Sequence, residues 1–118
     1  MKDLAPDIIR QRLLVEGYYS IAVDHEVVAS YLSGVAKQLG LQTYGEPVVH
    51  SPSGAGKPEN QGFDAFIPLV DSGISLYVWS SQRFFSALLY TCKRFEEGAA
   101  VSFTAEFFGA SEVAHCAF

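Results

Sequence analysis

The segment Asp71-Ser72-Gly73 joins two apolar stretches of the chain, and Cys92 follows Ser72 by 20 positions. Asp, Ser and Gly are common turn residues, so a simple hairpin turn is one interpretation. A serine hydroxyl is also a nucleophile when its surroundings activate it, and a thiol can deliver a proton to a substrate carbon. The structural alternative for Cys92 is a small, half-buried strand residue.

Metal and phosphate chemistry find little support in the sequence. His25, His50 and His115 are not spaced as ligands on one helix, and Cys92 and Cys116 form no C-x-x-C pair. We therefore predict no metal site. The segment 54–58 (Gly-Ala-Gly-Lys-Pro) differs from a phosphate-binding loop in having proline after the lysine, and we expect it to be a surface loop.

Composition indicates one globular domain over residues 1–118. The chain of 118 residues is 49% hydrophobic, 14% aromatic and 18% charged, which excludes a disordered tail. No apolar stretch is long enough for a membrane span, and we identify no signal peptide. The net charge of −5 with scattered basic residues argues against nucleic acid or anionic membranes as partners. Two cysteines make no disulfide framework, so we expect a cytoplasmic protein with reduced thiols.

Hydrophobic periodicity predicts an order of strand, helix, four strands, helix, strand. The amphipathic helix at 25–39 has Asp24 as N-cap and Gly40 after its end, and a second helix covers 96–108. A short helical segment is expected at 6–12 and a loop at 51–61. The predicted strands cover 12–23, 41–50, 63–70, 74–79, 84–92 and 112–118.

This order predicts an α+β fold, a two-layer sandwich in which two helices cover one face of a mostly antiparallel sheet. The strands at 63–70 and 84–92 carry apolar residues on both sides. A second apolar face needs a cover, so we predict a homodimer or a larger homo-oligomer. Tyr77 and Trp79 share one side of their strand, where they could stack on an adenine or line a core or interface.

The segment 62–79, which leads on to Leu88-Leu89-Tyr90-Thr91-Cys92, resembles the prokaryotic S-adenosylmethionine decarboxylase proenzymes. That family carries an acidic residue, a serine and His-Ile-Ser-Ile-His-Thr-Trp, followed by a strand that ends in Phe-Thr-Cys. The spacing from serine to cysteine is similar. The opening segment 13–18 (Leu-Leu-Val-Glu-Gly-Tyr) is also similar to the family's first strand.

The resemblance implies a two-layer decarboxylase fold and a self-processing reaction. In the family the serine attacks the preceding carbonyl, the chain is cut, and the serine becomes an N-terminal pyruvoyl group that replaces an external cofactor. Ser72 is then the pyruvoyl precursor, Asp71 the new C-terminus and Cys92 the acid that reprotonates the substrate carbon. The implied small molecule is S-adenosylmethionine or a related compound, in polyamine (spermidine) biosynthesis.

Several positions depart from the family pattern. Asp71 replaces glutamate, Gly73 replaces the first histidine, and Tyr77 replaces the histidine that assists cleavage. Asp64 stands in place of an upstream serine, and Ser80-Ser81 in place of Pro-Glu. Three hypotheses stay open: a divergent family member, whether or not it self-processes, an inactive paralogue serving as a ligand-binding or regulatory subunit without a cofactor, and an unrelated α+β interaction domain.

Overall fold

The computed structural model describes residues 1–51 and 61–118 of the chain. It contains six strands and two helices in the predicted order. The strands are β1 (Gln11–Tyr18), β2 (Val48–His50), β3 (Gly62–Leu69), β4 (Ser72–Trp79), β5 (Phe84–Thr91) and β6 (Val113–Ala117), and the helices are α1 (His25–Gln38) and α2 (Glu97–Phe108).

The strands form one antiparallel sheet in the order β2-β3-β4-β5-β1-β6. β3, β4 and β5 are consecutive hairpin strands, while β1 inserts between β5 and β6. Because β1 runs antiparallel to β5, the start of β1 lies beside the end of β5, with Gln11 opposite Thr91. The start of β4 lies at the same end of the sheet, with Gly73 opposite Tyr90.

Both helices pack on one face of the sheet, as the sequence predicted. The Asp24 side chain caps α1 by accepting a hydrogen bond from the Val27 amide at 2.9 Å. The apolar stripe of α1 is buried as predicted, with Val28, Tyr31, Leu32 and Val35 all fully inaccessible. In α2 the buried positions are Ala100, Thr104 and Phe108, whereas Phe103 and Phe107 are only half-buried.

The boundary differences follow from backbone hydrogen bonding. The predicted strand at 12–23 ends at Tyr18, because the Tyr19 amide binds the Arg83 carbonyl and the Ser20 amide binds the Phe108 carbonyl. The predicted strand at 41–50 shrinks to Val48–His50 plus a single bridge between Thr43 and Leu69. The expected helical segment at 6–12 is a single turn, closed by a bond from the Ile8 amide to the Ala5 carbonyl.

Residues 52–60, which include the glycine-rich segment 54–58, lie outside the described residues.

The sheet face opposite the helices, called here the open face, is rich in aromatic and aliphatic side chains. Alternation along the strands places Phe66, Tyr77, Trp79, Leu88 and Tyr90 on it, and Phe66, Tyr77 and Tyr90 are each more than 40% exposed. Within 1–51 and 61–118, no helix has the length and apolar character needed to cross a membrane.

Candidate active site

The hairpin between β3 and β4 has a two-residue loop, Val70-Asp71, with Leu69 paired to Ser72. The turn predicted at 71–73 is therefore displaced, and Ser72 and Gly73 are the first residues of β4. Asp71 adopts φ 55°, in the left-handed region that is unfavourable for most side chains. The peptide bond between Asp71 and Ser72 therefore directly follows a residue whose backbone is strained.

The Ser72 hydroxyl is fixed by the end of the neighbouring strand. The backbone N–H of Cys92 donates a hydrogen bond of 2.9 Å to Ser72 Oγ. This contact arises because β4 and β5 pair in register and Cys92 immediately follows Thr91, the last residue of β5. The structure therefore brings together the serine and the cysteine that the sequence singled out.

Ser72 and Cys92 line one cavity of about 220 Å³ at this end of the sheet. Asp71 and Lys93 bring opposite charges to it, and Lys93 Nζ donates to the Gly40 carbonyl at 3.0 Å. The remaining lining residues are Leu41, Gln42, Leu69 and Val70. Both Ser72 and Cys92 are half-buried, so they are accessible to a small ligand and partly shielded from water.

Ser72 also borders a cavity of about 350 Å³ that opens on the other side of the sheet. Its wall includes Phe66, Gly73, Leu88 and Tyr90. A Cβ atom at position 73 would lie 2.5 Å from the Phe66 ring, so glycine is required there while Phe66 keeps this position. Phe66 thus occupies the space that a side chain at position 73 would need.

The other predicted site residues lie elsewhere on the sheet. Tyr77 and Trp79 are on the open face, and Asp64 pairs directly with Tyr77. Tyr77 lies five positions after Ser72 along β4, which corresponds to roughly 17 Å of strand. Trp79 packs against Phe84 with 5.4 Å between ring centroids. The structure therefore does not bring Tyr77, Asp64 or Trp79 into the cavity that Ser72 shares with Cys92.

Sequence reasoning missed three residues at the two cavities: Lys93, Gln42 and Phe66. Lys93 could have been identified from the sequence, because it directly follows Cys92. Gln42 and Phe66 carry no such signal, because they meet the site only through the path of the 41–47 segment and the register of β3 with β4. Among the described residues that line the cavity with Ser72 and Cys92, none is a histidine, so no imidazole base adjoins the hydroxyl.

Comparisons with known proteins found a family model and a solved structure that match this chain. A family model described as S-adenosylmethionine decarboxylase matches residues 11–117. Among solved structures, the crystal structure of the adenosylmethionine decarboxylase from Aquifex aeolicus VF5 matches with a TM-score of 0.68 at 15% identity, covering 94% of this chain and 89% of that one. No curated protein sequence matches the chain. The extent of the family match shows that this chain belongs to the S-adenosylmethionine decarboxylase family.

Proposed function

We propose that this protein is a divergent S-adenosylmethionine decarboxylase of polyamine (spermidine) biosynthesis, which converts Ser72 to a pyruvoyl group by cleaving its own chain after Asp71. The observation that carries the proposal is the hydrogen bond of 2.9 Å from the Cys92 amide to Ser72 Oγ. This bond fixes the Ser72 hydroxyl, and Cys92, the proposed proton donor, lines the same cavity.

In the proposed cleavage, Ser72 Oγ attacks the Asp71 carbonyl carbon and the C–N bond between the two residues breaks, giving an ester. Elimination of that ester leaves a carboxylate on Asp71 and a dehydroalanine at position 72. Water then replaces the nitrogen of position 72, which leaves as ammonia. The positive φ of Asp71 favours this route, because strain before the scissile bond is released when the chain is cut.

Cleavage is expected to be slow. A serine hydroxyl is a weak nucleophile without a base to accept its proton. No histidine lines the described cavity around Ser72, and Tyr77 lies on the open face. The strained backbone and the fixed hydroxyl are therefore the features that support cleavage.

The pyruvoyl ketone, once formed, would supply an electron sink for decarboxylation. The chain's own residues would bind and orient the substrate. Cys92 would deliver a proton to the substrate carbon from the cavity wall. Lys93, on the same wall, offers a positive charge near the new carboxylate of Asp71. The aromatic wall of the second cavity, with Phe66 and Tyr90, suits an adenine ring or a sulfonium cation.

We also propose that the protein works as a homodimer or a larger homo-oligomer that covers the open face. This face combines half-exposed aromatic residues with the cavities beside Ser72 and Tyr77. An exposed apolar surface of this kind is typical of an interface. Covering it would shield the cavity beside Ser72 from water.

Intact-mass spectrometry of the purified protein over a long incubation tests the proposal. We expect two fragments, 1–71 and 72–118, the second without a free amino group. Ser72→Ala should give only the uncut species of 12.9 kDa. Ser75→Ala, which removes a hydroxyl from the same strand, is the matched control and should be cut like the parent chain. An uncut parent chain would remove the pyruvoyl route.

A second candidate function is an inactive paralogue that binds the ligand or regulates a partner. Gly73 under the Phe66 ring and the absence of a histidine among the described cavity residues favour it. Calorimetric titration with S-adenosylmethionine distinguishes the two together with the mass measurement. Binding by a chain that stays uncut would favour the paralogue, whereas binding by the cut chain would favour the enzyme.

A further inference from the structure

A separate cavity of about 230 Å³ lies where β1 begins, and three arginines line it. Arg10, Arg12 and Arg94 are three of only four arginines in a chain whose net charge is −5. Positive charge is thus concentrated at one point of an otherwise acidic protein. Asp3 is the acidic residue among the described residues of this wall, so the arginines outnumber the carboxylates.

The arginines are held in place by their surroundings. Gln11 lies between two of them, and its side chain binds the Phe95 carbonyl at 2.9 Å and the Phe95 amide at 3.0 Å. These two bonds fasten the start of β1 to the segment that carries Arg94. The Arg12 guanidinium stacks over the Phe118 ring, 5.6 Å from its centroid. The cavity is therefore a preformed feature of the sheet end.

Not every arginine hydrogen-bond donor has a partner among residues 1–51 and 61–118. Arg10 Nη2 donates to Asp3 and also to the Ala5 carbonyl at 3.0 Å. The Nε atoms of Arg10 and Arg12 are buried, and no acceptor for either is found among the described residues. Buried donors in folded proteins nearly always have an acceptor. Arg10 and Arg12 also line the cavity, so an acceptor from outside the chain can approach their guanidinium groups there.

We propose that this cavity is a binding site for a small oxyanion, a phosphate or carboxylate group of a ligand. The planar guanidinium group matches both anions through paired hydrogen bonds. The site lies at the same end of the sheet as Ser72 but is distinct from its cavities, because Arg12 pairs with Tyr90, which in turn pairs with Gly73. Two strand spacings, roughly 10 Å, separate Arg12 from Gly73. The inference does not rest on the proposed decarboxylase function.

Nuclear magnetic resonance of the full chain, observing the arginine Nε–H groups, tests the proposal. Sodium phosphate and sodium acetate are titrated separately, with sodium chloride adjusted to keep the ionic strength constant. We expect saturating shifts at Arg10 and Arg12 with at least one of the two anions. Saturation by phosphate at the lower concentration identifies a phosphate ligand, and saturation by acetate at the lower concentration identifies a carboxylate ligand.

Charge-removing variants provide the control. Arg12→Gln or Arg94→Gln should weaken the anion's affinity by roughly tenfold or more, since each removes a charged hydrogen-bonding partner. Lys37→Gln, which removes one positive charge from the exposed end of α1, should leave the affinity unchanged. Arg94 is exposed, so its variant is informative even if Arg12→Gln fails to fold.

Three results would overturn the proposal. Shifts that rise linearly without saturation for both anions would mean that only general screening occurs. An equal loss of anion affinity in the Lys37→Gln and Arg94→Gln variants would also mean that only general screening occurs. Shifts that follow the protein concentration instead of the anion concentration would assign the arginines to a carboxylate of a second copy of the chain.

Discussion

At the scale of single residues, the main features around Ser72 belong to the backbone. Asp71 has a positive φ, and the donor to Ser72 Oγ is the main-chain N–H of Cys92. A main-chain N–H donates this hydrogen bond whatever side chain its own residue carries. The role proposed for the Cys92 thiol is therefore independent of this hydrogen bond.

This division of roles predicts different effects of Cys92→Ala on the two reactions. The variant keeps the amide that positions Ser72, so cleavage should proceed to the same extent as in the parent chain. Loss of the thiol removes the proposed general acid, so decarboxylation should fall by roughly 10²- to 10⁴-fold. Mass spectrometry measures the first and release of carbon dioxide from S-adenosylmethionine the second. Loss of cleavage in this variant would contradict the division.

The strain at Asp71 predicts a specific pattern of stability. In a Ser72→Ala background, which prevents cleavage, Asp71→Val should lower the free energy of unfolding by about 1–2 kcal/mol. Valine is β-branched and tolerates φ 55° poorly, whereas asparagine adopts this region readily. Asp71→Asn is therefore the matched control, with a smaller change. Urea denaturation measures both, and equal losses would show that the backbone at 71 relaxes.

The sequence was sufficient to pair Ser72 with Cys92 because their spacing equals one hairpin, which antiparallel pairing closes. The sequence was not sufficient to predict the contact of Phe66 with Gly73, because the two residues lie on the neighbouring strands β3 and β4. Resemblance suggested Tyr77 and Asp64 as processing or pocket residues, and strand alternation suggested Trp79 as a pocket residue beside Tyr77. The alternation of β4 puts Tyr77 and Trp79 on the opposite side from Ser72, and their catalytic roles stay predictions.

At the scale of elements, the strands and helices with strong periodicity were predicted well. α1 begins and ends within one residue of the prediction, because its cap residue and its apolar stripe both point to one helix. The segments 19–23 and 41–47 are apolar or β-prone but are not strands. Their backbone groups bind a turn, the end of α2 and β3 instead, and such long-range partners leave no local pattern.

The contact between α1 and α2 predicts that substitutions of Tyr31 and Thr104 have non-additive effects on the free energy of unfolding. The hydroxyls of Tyr31 and Thr104 share a buried hydrogen bond of 2.7 Å. Tyr31→Phe leaves the Thr104 hydroxyl unpaired, so the free energy of unfolding should fall by about 1–3 kcal/mol. The double variant Tyr31→Phe with Thr104→Val should recover most of the loss, because it removes both polar groups. A double variant less stable than Tyr31→Phe would contradict this account.

Burial of Tyr31 also predicts how stability responds to alkaline pH. Desolvation raises the pKa of Tyr31 in the folded chain, although its bond to Thr104 acts in the opposite direction. Above about pH 10 the unfolded chain loses this proton while the folded chain keeps it, so stability falls as the pH rises. Tyr31→Phe should reduce this slope in urea denaturation series, whereas Tyr44→Phe, at an exposed tyrosine, should not. Equal slopes in the two variants would show that Tyr31 does not contribute.

At the scale of the whole molecule, the sheet divides the protein into a helix-covered side and the open face. The cavities that Ser72 borders lie at one end of the sheet and reach both sides of it. An assembly that covers the open face would therefore also enclose one side of the proposed active site. The two-sided apolar strands predicted this face from sequence, but the structure was needed to show that a cavity opening on it is bordered by Ser72.

The proposed assembly predicts that a charge on the open face disrupts it. Tyr77→Asp should convert a homo-oligomer into a monomer of 12.9 kDa, because it places a charge beside Asp64 in the proposed interface. Tyr44→Asp alters an exposed tyrosine outside the six strands and should leave the assembly intact. Light scattering coupled to size-exclusion chromatography measures the mass, and a monomeric parent chain would contradict the assembly.

The most direct measurement of the central claim is a search for the ketone at residue 72. The purified protein is treated with a carbonyl reagent such as phenylhydrazine, and the products are analysed by mass spectrometry. The account predicts that the fragment 72–118 gains one reagent molecule, while the fragment 1–71 and the Ser72→Ala chain gain none. A full-length chain that stays uncut and takes up no reagent would contradict it.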